Sequence, residues 1–290
     1  MRFALGLAVL CVACSPGGLL RGWHPPLSVP AITSDLPRDG QIDHALSRLT
    51  YGARSGDAQR VRSLGLERWI ALQLVPDRID DRRADSLLAT YDGLNIPTPE
   101  LAALFREAQQ ARRQAQRDTS QSMRPGMRRD NPGRQLQVTL AQVSSAKVLR
   151  AVVSERQLYE QMVDFWENHF SVFSGKGQTR LFIPAFDRDV IRPHALGRFR
   201  NLLGAVAQSP AMLFYLDNAQ SVADSMHRTL GANRLRLGRR ARGLNENYAR
   251  ELLELHTLGV DGGYSQEDVV EVARALTGWS IDQREGAFVF

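Results

Sequence analysis

From residue 39 onward, apolar residues recur at helical spacing almost throughout the chain. Apart from the final "AFVF", no segment alternates apolar and polar residues well enough to predict a strand. Ser209 followed by Pro210, and Ser265 three residues before Asp268, are typical of helix starts. The pattern predicts helices over 41–51, 56–63, 66–74, 79–90, 99–117, 136–169, 186–207, 210–217, 244–258 and 266–278. We therefore expect an all-α, multi-helix single domain over residues 39–290.

Two stretches, 116–135 and 219–243, are polar, rich in Arg and interrupted by Gly or Pro. This composition predicts one or two mobile basic loops inserted in the helical domain. Residues 15–38, which are rich in Pro and Gly, predict an extended linker. The formal charge is +6, but no nucleic-acid-binding module accompanies the basic stretches, so we expect no nucleic-acid partner.

The first fourteen residues predict a signal peptide or a lipoprotein leader. Arg2 precedes an apolar run from Phe3 to Ala13 that is too short to cross a bilayer. "VACS" resembles a lipoprotein cleavage box with Cys14 as the acylated residue, although Cys11 stands where such boxes have Leu, so lipidation and simple cleavage both stay open. We expect an exported protein of the periplasm or envelope, attached to a membrane only through an N-terminal lipid anchor. The rest of the chain has no thiol, which excludes disulfides, thiolate metal sites and cysteine nucleophiles there.

The segment 158–170 places a histidine inside an apolar helix stripe. At helical spacing one face carries Leu158, Met162, Phe165, Trp166 and His169, with Asn168 at its boundary. Glu160, Asp164 and Glu167 project to the opposite, polar face. Because Glu167 lies on that polar face, it is not a preferred catalytic candidate.

The segment 244–258 has the same design, with His256 in an apolar stripe that also includes Asn245. Burying an imidazole without a partner costs about 1–3 kcal/mol, so each histidine needs a hydrogen bond or a metal. His169 and His256 could be two ligands of a divalent metal, with Glu246 or Asn245 at the rim. Alternatively, each imidazole bonds a backbone carbonyl or a carboxylate and holds helices together. The second interpretation is favoured, because no metal-binding spacing such as HExxH is present.

The polar face of the same segment presents Glu251 and Glu254 three residues apart. Paired carboxylates could carry acid–base chemistry or bind a cation, which makes Glu246, Glu251 and Glu254 the catalytic candidates. The alternative, which we favour, is an ordinary ion-pair network with Arg250, or with Arg274 on the next helix.

Several motifs, in order, resemble the bacterial family known as domain of unknown function 1800: "LSRLTYG", "FWENHFSV", "MLFYLDNAQS", "NENYARELLELHTLGVDGGYSQEDV" and "ARALTGW". The resemblance covers residue 41 to the end, and it implies a large, mostly helical, often exported protein with no established activity to transfer. Genes of this family often neighbour those of an exported family related to sulfatases and phosphatases, which implies such a protein as a partner. In the family pattern Trp-x-Asn-His-Phe, the variable position is Glu167 here. The resemblance also implies that the domain continues beyond Phe290, so that the helical domain is truncated at its C-terminus.

Two functional hypotheses follow, and the sequence leaves open whether the protein is an enzyme. The first is a helical envelope protein with a binding or scaffold role in an envelope or secretion-related pathway. The second is a metal-dependent hydrolase of an extracellular or envelope polymer, with His169 and His256 as ligands and Glu246, Glu251 or Glu254 as general base.

Overall fold

The computed structural model describes residues 33–117, 132–222, 243–282 and 284–290, together with residues 29 and 31. The predicted leader 1–14 with Cys14, most of the predicted linker and most of both basic stretches lie outside the described residues. Among the described residues, no helix combines the length and the apolar character needed to cross a bilayer.

The described part of the fold contains twelve α-helices and one pair of very short strands. The helices are α1 (Arg38–Leu49), α2 (Asp57–Leu64), α3 (Leu66–Gln73), α4 (Arg82–Leu88), α5 (Thr98–Arg117), α6 (Pro132–Val153), α7 (Gln157–His169), α8 (Ile183–Ala185), α9 (Phe199–Ala207), α10 (Pro210–Tyr215), α11 (Glu246–Glu254) and α12 (Gln266–Ala275). The strands β1 (Ser280–Ile281) and β2 (Phe288–Val289) pair antiparallel, and β2 lies in the "AFVF" segment. The prediction of an all-α single domain is therefore confirmed.

Helices α7, α9, α10 and α11 contribute side chains to a central hydrophobic core. Phe170, Ile191, Met212, Leu213 and Tyr248 are fully buried there. Smaller apolar clusters join α1 to α2 and α3, α5 to α6, and α11 to α12. Helix α7 contacts α1, α3, α6 and the residues 186–191, so several of its faces are covered by protein.

The prediction of one continuous helix over 136–169 is wrong, because the chain breaks between α6 and α7. The last helical bond of α6 runs from the Ser154 amide to the Arg150 carbonyl. Buried Asp81 then accepts a hydrogen bond from the Ser154 hydroxyl at 2.7 Å and one from the Glu155 amide at 2.8 Å. The Arg156 amide donates to the Ser154 hydroxyl oxygen at 3.0 Å. Side chains thus replace the helical backbone partners at this point.

We expect Asp81→Ala to lower the free energy of unfolding by about 2 kcal/mol, because it leaves the buried Ser154 hydroxyl and Glu155 amide without their acceptor. Chemical denaturation of the full chain measures this difference. The matched control is Asp80→Ala, which removes an exposed ion pair with the Arg82 side chain and an exposed hydrogen bond from the Arg82 amide, and which should change the unfolding free energy by less than about 1 kcal/mol. Equal effects of the two substitutions would contradict the role assigned to Asp81.

The predicted helix 186–207 is also interrupted. Residues Phe186–Ile191 form a π-helical turn, Arg192–His194 form a 3-10 turn, and α9 begins only at Phe199. Pro193 has no amide hydrogen and cannot continue an α-helical ladder. The Gly197 amide closes the following turn on the His194 carbonyl at 2.9 Å. Single π turns are often found at functional sites, and this one carries the buried residue Asp187.

Candidate functional site

The fold brings His169 and His256 together, as the two apolar stripes suggest. His169 is the last residue of α7, and its Nε2 lies 3.2 Å from the backbone carbonyl oxygen of His256. The ring centroids are 6.4 Å apart. Because a carbonyl oxygen only accepts, the proton of His169 resides on Nε2, and this nitrogen is engaged by the backbone. The contact is thus a hydrogen bond from the end of α7 to a backbone carbonyl two residues beyond the end of α11.

Aromatic side chains enclose the histidine pair. Trp166 packs edge-on against His169 at a centroid distance of 5.6 Å, and its indole N–H donates to the Ala195 carbonyl at 2.9 Å. Phe170 packs against the His256 ring at 5.2 Å. His256 is buried, and its Nδ1 has no hydrogen-bond partner among the described residues. Burial, and then the neighbouring His169, lower the pKa of His256 to about 4, so its imidazole is neutral at neutral pH.

The depressed pKa of His256 predicts acid destabilisation. The unfolded chain protonates this histidine near its usual pKa of 6.5, whereas the folded chain does so only near 4. The contribution of neutral His256 to the free energy of unfolding is therefore complete above pH 6.5 and is lost as the pH falls. Between pH 7 and pH 5 the loss is about 2 kcal/mol. His256→Gln should remove this part of the pH dependence in denaturation experiments, whereas His44→Gln on the exposed side of α1 should keep it. An unchanged slope in His256→Gln would contradict the assignment.

Asn245, predicted near the metal rim, is the N-cap of α11. Its side-chain oxygen accepts from the backbone amides of Asn247 at 3.0 Å and Tyr248 at 3.4 Å. Its side-chain amide donates to the Leu216 carbonyl at 2.6 Å. These bonds fix the start of α11 against the end of α10. Asn168 is exposed, and its amide donates to the Asp164 carbonyl of its own helix.

Two of the predicted catalytic carboxylates of α11, Glu246 and Glu254, lie in a surface ion-pair network. Arg250 contacts Glu254 at 3.2 Å and Glu246 at 4.0 Å, and it donates to the side chain of Gln266 at 2.6 Å. Glu251 is half-buried on the same helix. Across the described residues, no three His, Cys, Asp or Glu side chains are grouped closely enough to hold a metal ion. The histidine pair and these carboxylates therefore do not combine into a metal site in this part of the chain.

A second polar cluster lies on the opposite side of α7. We call Arg150, Glu160, Glu167, Asp187 and Arg192 the buried charge cluster. Arg192 forms a bidentate ion pair with Glu160, with nitrogen–oxygen distances of 3.0 and 2.5 Å, and both side chains are largely buried. Asp187, on the π-helical turn, lies 3.7 Å from Arg150 and 3.8 Å from Arg192.

Glu167 is an acid of this cluster whose pKa is strongly raised. Glu167 projects to the face of α7 opposite His169, as the helical spacing predicts, but that face packs on α6 and the π-helical turn. Only 11% of its side chain is exposed, and its carboxyl group contacts Lys147 of α6 and the carboxyl group of Asp187. Burial, and then the charge of Asp187, raise the pKa of Glu167 to about 7, although Lys147 opposes the shift.

Glu167 also lines a cavity of about 650 Å³ between α6, the end of α7 and the residues that follow it, which we call the α6–α7 cavity. Its polar lining consists of Ser144, Lys147, Glu167, Ser171, Ser174 and Arg180. Its apolar lining consists of Leu140, Val143, Val148, Val172, Ile183 and Phe186. This volume is within the range of about 300–1,000 Å³ that is typical of small-molecule sites. A buried acid with a shifted pKa beside a cavity is a typical arrangement of functional sites.

Most of the chain matches one known protein family. Residues 44–290 match the family described as "Protein of unknown function (DUF1800)". The chain belongs to this family. No curated protein and no solved structure matches the chain. In this DUF1800 member, the segment "FWENHF" thus contributes to two separate sites. His169 binds the backbone just after α11, and Glu167 lines the α6–α7 cavity.

Reasoning from the sequence missed Arg150, Asp187, Arg192 and Lys147, and it set Glu167 aside. The charge pattern contains part of a signal. Glu160 and Glu167 are seven residues apart on one helix face, and Lys147 and Arg150 are three residues apart in the same predicted helix 136–169. These opposite charges can meet only because the chain breaks between α6 and α7, which the sequence did not predict.

Proposed function

We propose that this DUF1800 member is an exported protein of the cell envelope that binds a small ligand in the α6–α7 cavity. The observation that carries the proposal is the cavity itself, which combines an apolar wall with a nearly buried acid, Glu167, and the two cations Lys147 and Arg180. Convergent polar groups in an apolar concavity favour specific binding of a small molecule.

The proposal of export rests on the N-terminal sequence. The basic residue Arg2, the apolar run 3–13 and the box around Cys14 are typical of a secreted or lipidated protein. An exported sulfatase- or phosphatase-like protein is the partner that we propose for the same pathway. Cell fractionation, together with lipid labelling of the wild type and of Cys14→Ser, tests this part. Recovery of the wild-type protein only in the cytosol would contradict export.

A binding role is favoured over the metal-dependent hydrolase for geometric reasons. The Nε2 of His169 is engaged by the His256 carbonyl, Glu254 contacts Arg250, and Glu246 accepts from Gln266. The hydrolase predicts a stoichiometric divalent metal in the purified protein and a loss of stability in chelator. Elemental analysis of wild type, His169→Gln and His256→Gln therefore separates the two functions, and a metal lost in both variants would favour the hydrolase.

Native mass spectrometry of the protein purified from the envelope fraction tests ligand binding. We expect a small molecule bound to the wild type and lost in Ser144→Trp, because Ser144 lines the cavity from an exposed position of α6. Ser145→Trp is the matched control, since Ser145 is equally exposed on the same helix but outside the cavity lining. Retention of the small molecule in Ser144→Trp, or its absence from the wild type, would contradict the proposal.

A further inference from the structure

We infer that the ligand of the α6–α7 cavity is a small amphiphilic anion, a carboxylate joined to a short apolar chain, and that Glu167 couples its binding to proton uptake. The inference rests on the proposed function, because it names the ligand class of the same cavity. It is carried by the charges of the lining, by the apolar wall and by the contacts of Glu167.

The charged residues of the lining favour an anion. They are Lys147, Glu167 and Arg180. Arg180 is exposed, its guanidinium lies over the ring of Phe105 at 5.2 Å, and it makes no ion pair with a carboxylate of the described residues. Lys147 is held only by Glu167 among its ion-pair contacts in the described chain. Within the part of the chain that the structure describes, one cation thus has no carboxylate partner and a second is held by a single acid. A guanidinium matches the two oxygens of a carboxylate.

The remaining lining favours an apolar tail on that anion. The wall from Val143 and Val148 on α6 to Ile183 and Phe186 is aliphatic or aromatic. Val148 is 65% exposed, so apolar surface on the cavity wall is left in contact with water. Covering such surface with a hydrocarbon chain is favourable by about 25 cal/mol per Å². A fully polar anion would leave this part of the site unused.

Glu167 lines the cavity, so its ionisation changes the net charge of the lining with pH. The groups that face it are Lys147 on α6 and Asp187 on the π-helical turn, and Asp187 is in turn held by Arg150 and Arg192. Ionised Glu167 holds Lys147 and repels an anion. Protonated Glu167 can donate to Asp187 and release Lys147 to the ligand. Its pKa of about 7 places this change near neutral pH.

Isothermal titration of the full chain with octanoate at pH 6 and pH 8 tests the inference. Octanamide and octylammonium serve as the neutral and cationic probes of the same length. We expect octanoate to bind more tightly than both, and its dissociation constant to rise about tenfold from pH 6 to pH 8 as Glu167 ionises. Glu167→Gln should bind at pH 8 as the wild type binds at pH 6. Arg180→Gln should weaken binding by about tenfold at both pH values.

Two controls make the outcomes decisive. Ser144→Trp should abolish binding while Ser145→Trp keeps it, and octanoate bound equally by both variants would overturn the inference as adventitious surface binding. If octanamide or octylammonium binds in the cavity but octanoate does not, the inference fails and the proposed function survives. If no probe binds and the purified protein carries no small molecule, both fail. A dissociation constant that is independent of pH in the wild type would overturn the proton coupling.

Discussion

Replacing Arg192 by Met is expected to lower the free energy of unfolding by about 3–5 kcal/mol, because it leaves Glu160 buried without its counter-charge. The Arg192–Glu160 pair is bidentate, and the two side chains are only 15% and 7% exposed. Arg192 also lies 3.8 Å from Asp187, so its loss removes positive charge from two buried carboxylates. Urea denaturation at pH 7 measures the loss.

Two further variants distinguish a stranded charge from lost packing. Glu160→Met combined with Arg192→Met should recover at least half of the lost stability, since a pair of apolar side chains can replace a buried ion pair. Arg82→Met, which breaks an exposed ion pair with Asp80, should change stability by less than about 0.5 kcal/mol. A double variant as unstable as the single one would show that the charge of Glu160 is not the cause.

Glu167→Gln is expected to stabilise the protein at alkaline pH. The folded-state pKa of Glu167 is raised to about 7, above its usual 4.5. The contribution of this group to stability is therefore fully present below pH 4.5, and it is lost as the pH rises through 7. Glutamine has no such ionisation. Relative to wild type, the variant should therefore gain about 2.5 kcal/mol between pH 5 and pH 8, as measured by denaturation at the two pH values.

Asp164→Asn is the matched control for this substitution, because Asp164 is exposed on the same helix, three residues earlier. We expect its stability difference from wild type to stay within about 0.5 kcal/mol at both pH values. A Glu167→Gln variant whose stability difference from wild type is the same at pH 5 and pH 8 would show that Glu167 is already ionised at pH 5.

Helical periodicity predicted much of this fold, and its failures have identifiable causes. Apolar spacing correctly placed His169 and His256 on inward faces, and the contact between their segments followed. The break after α6 depends on Asp81, which lies 73 residues from Ser154 in the sequence, and no local pattern contains that partner. The π-helical turn likewise follows from local ladder geometry near Pro193 rather than from apolar spacing.

The candidate site was harder to predict than the fold. A helical projection shows that Glu160 and Glu167 lie opposite the apolar stripe, but it cannot show whether that face meets water or another helix. Here the face meets Lys147, Arg150 and the π-helical turn, so the acids are buried by neighbours that the projection does not include. Glu246 and Glu254 of α11, in contrast, have the surface partner Arg250 that their own helix supplies.

Methyl NMR spectroscopy of the full chain, titrated with small molecules extracted from the envelope fraction, distinguishes the α6–α7 cavity from the histidine pair as the ligand site. If the ligand binds in the cavity, the methyl resonances of Val143, Val148, Val172 and Ile183 should shift, and those of Leu252 and Val269 should stay unchanged. Shifts confined to Leu252, Val269 and their neighbours on α11 and α12 would contradict binding in the cavity.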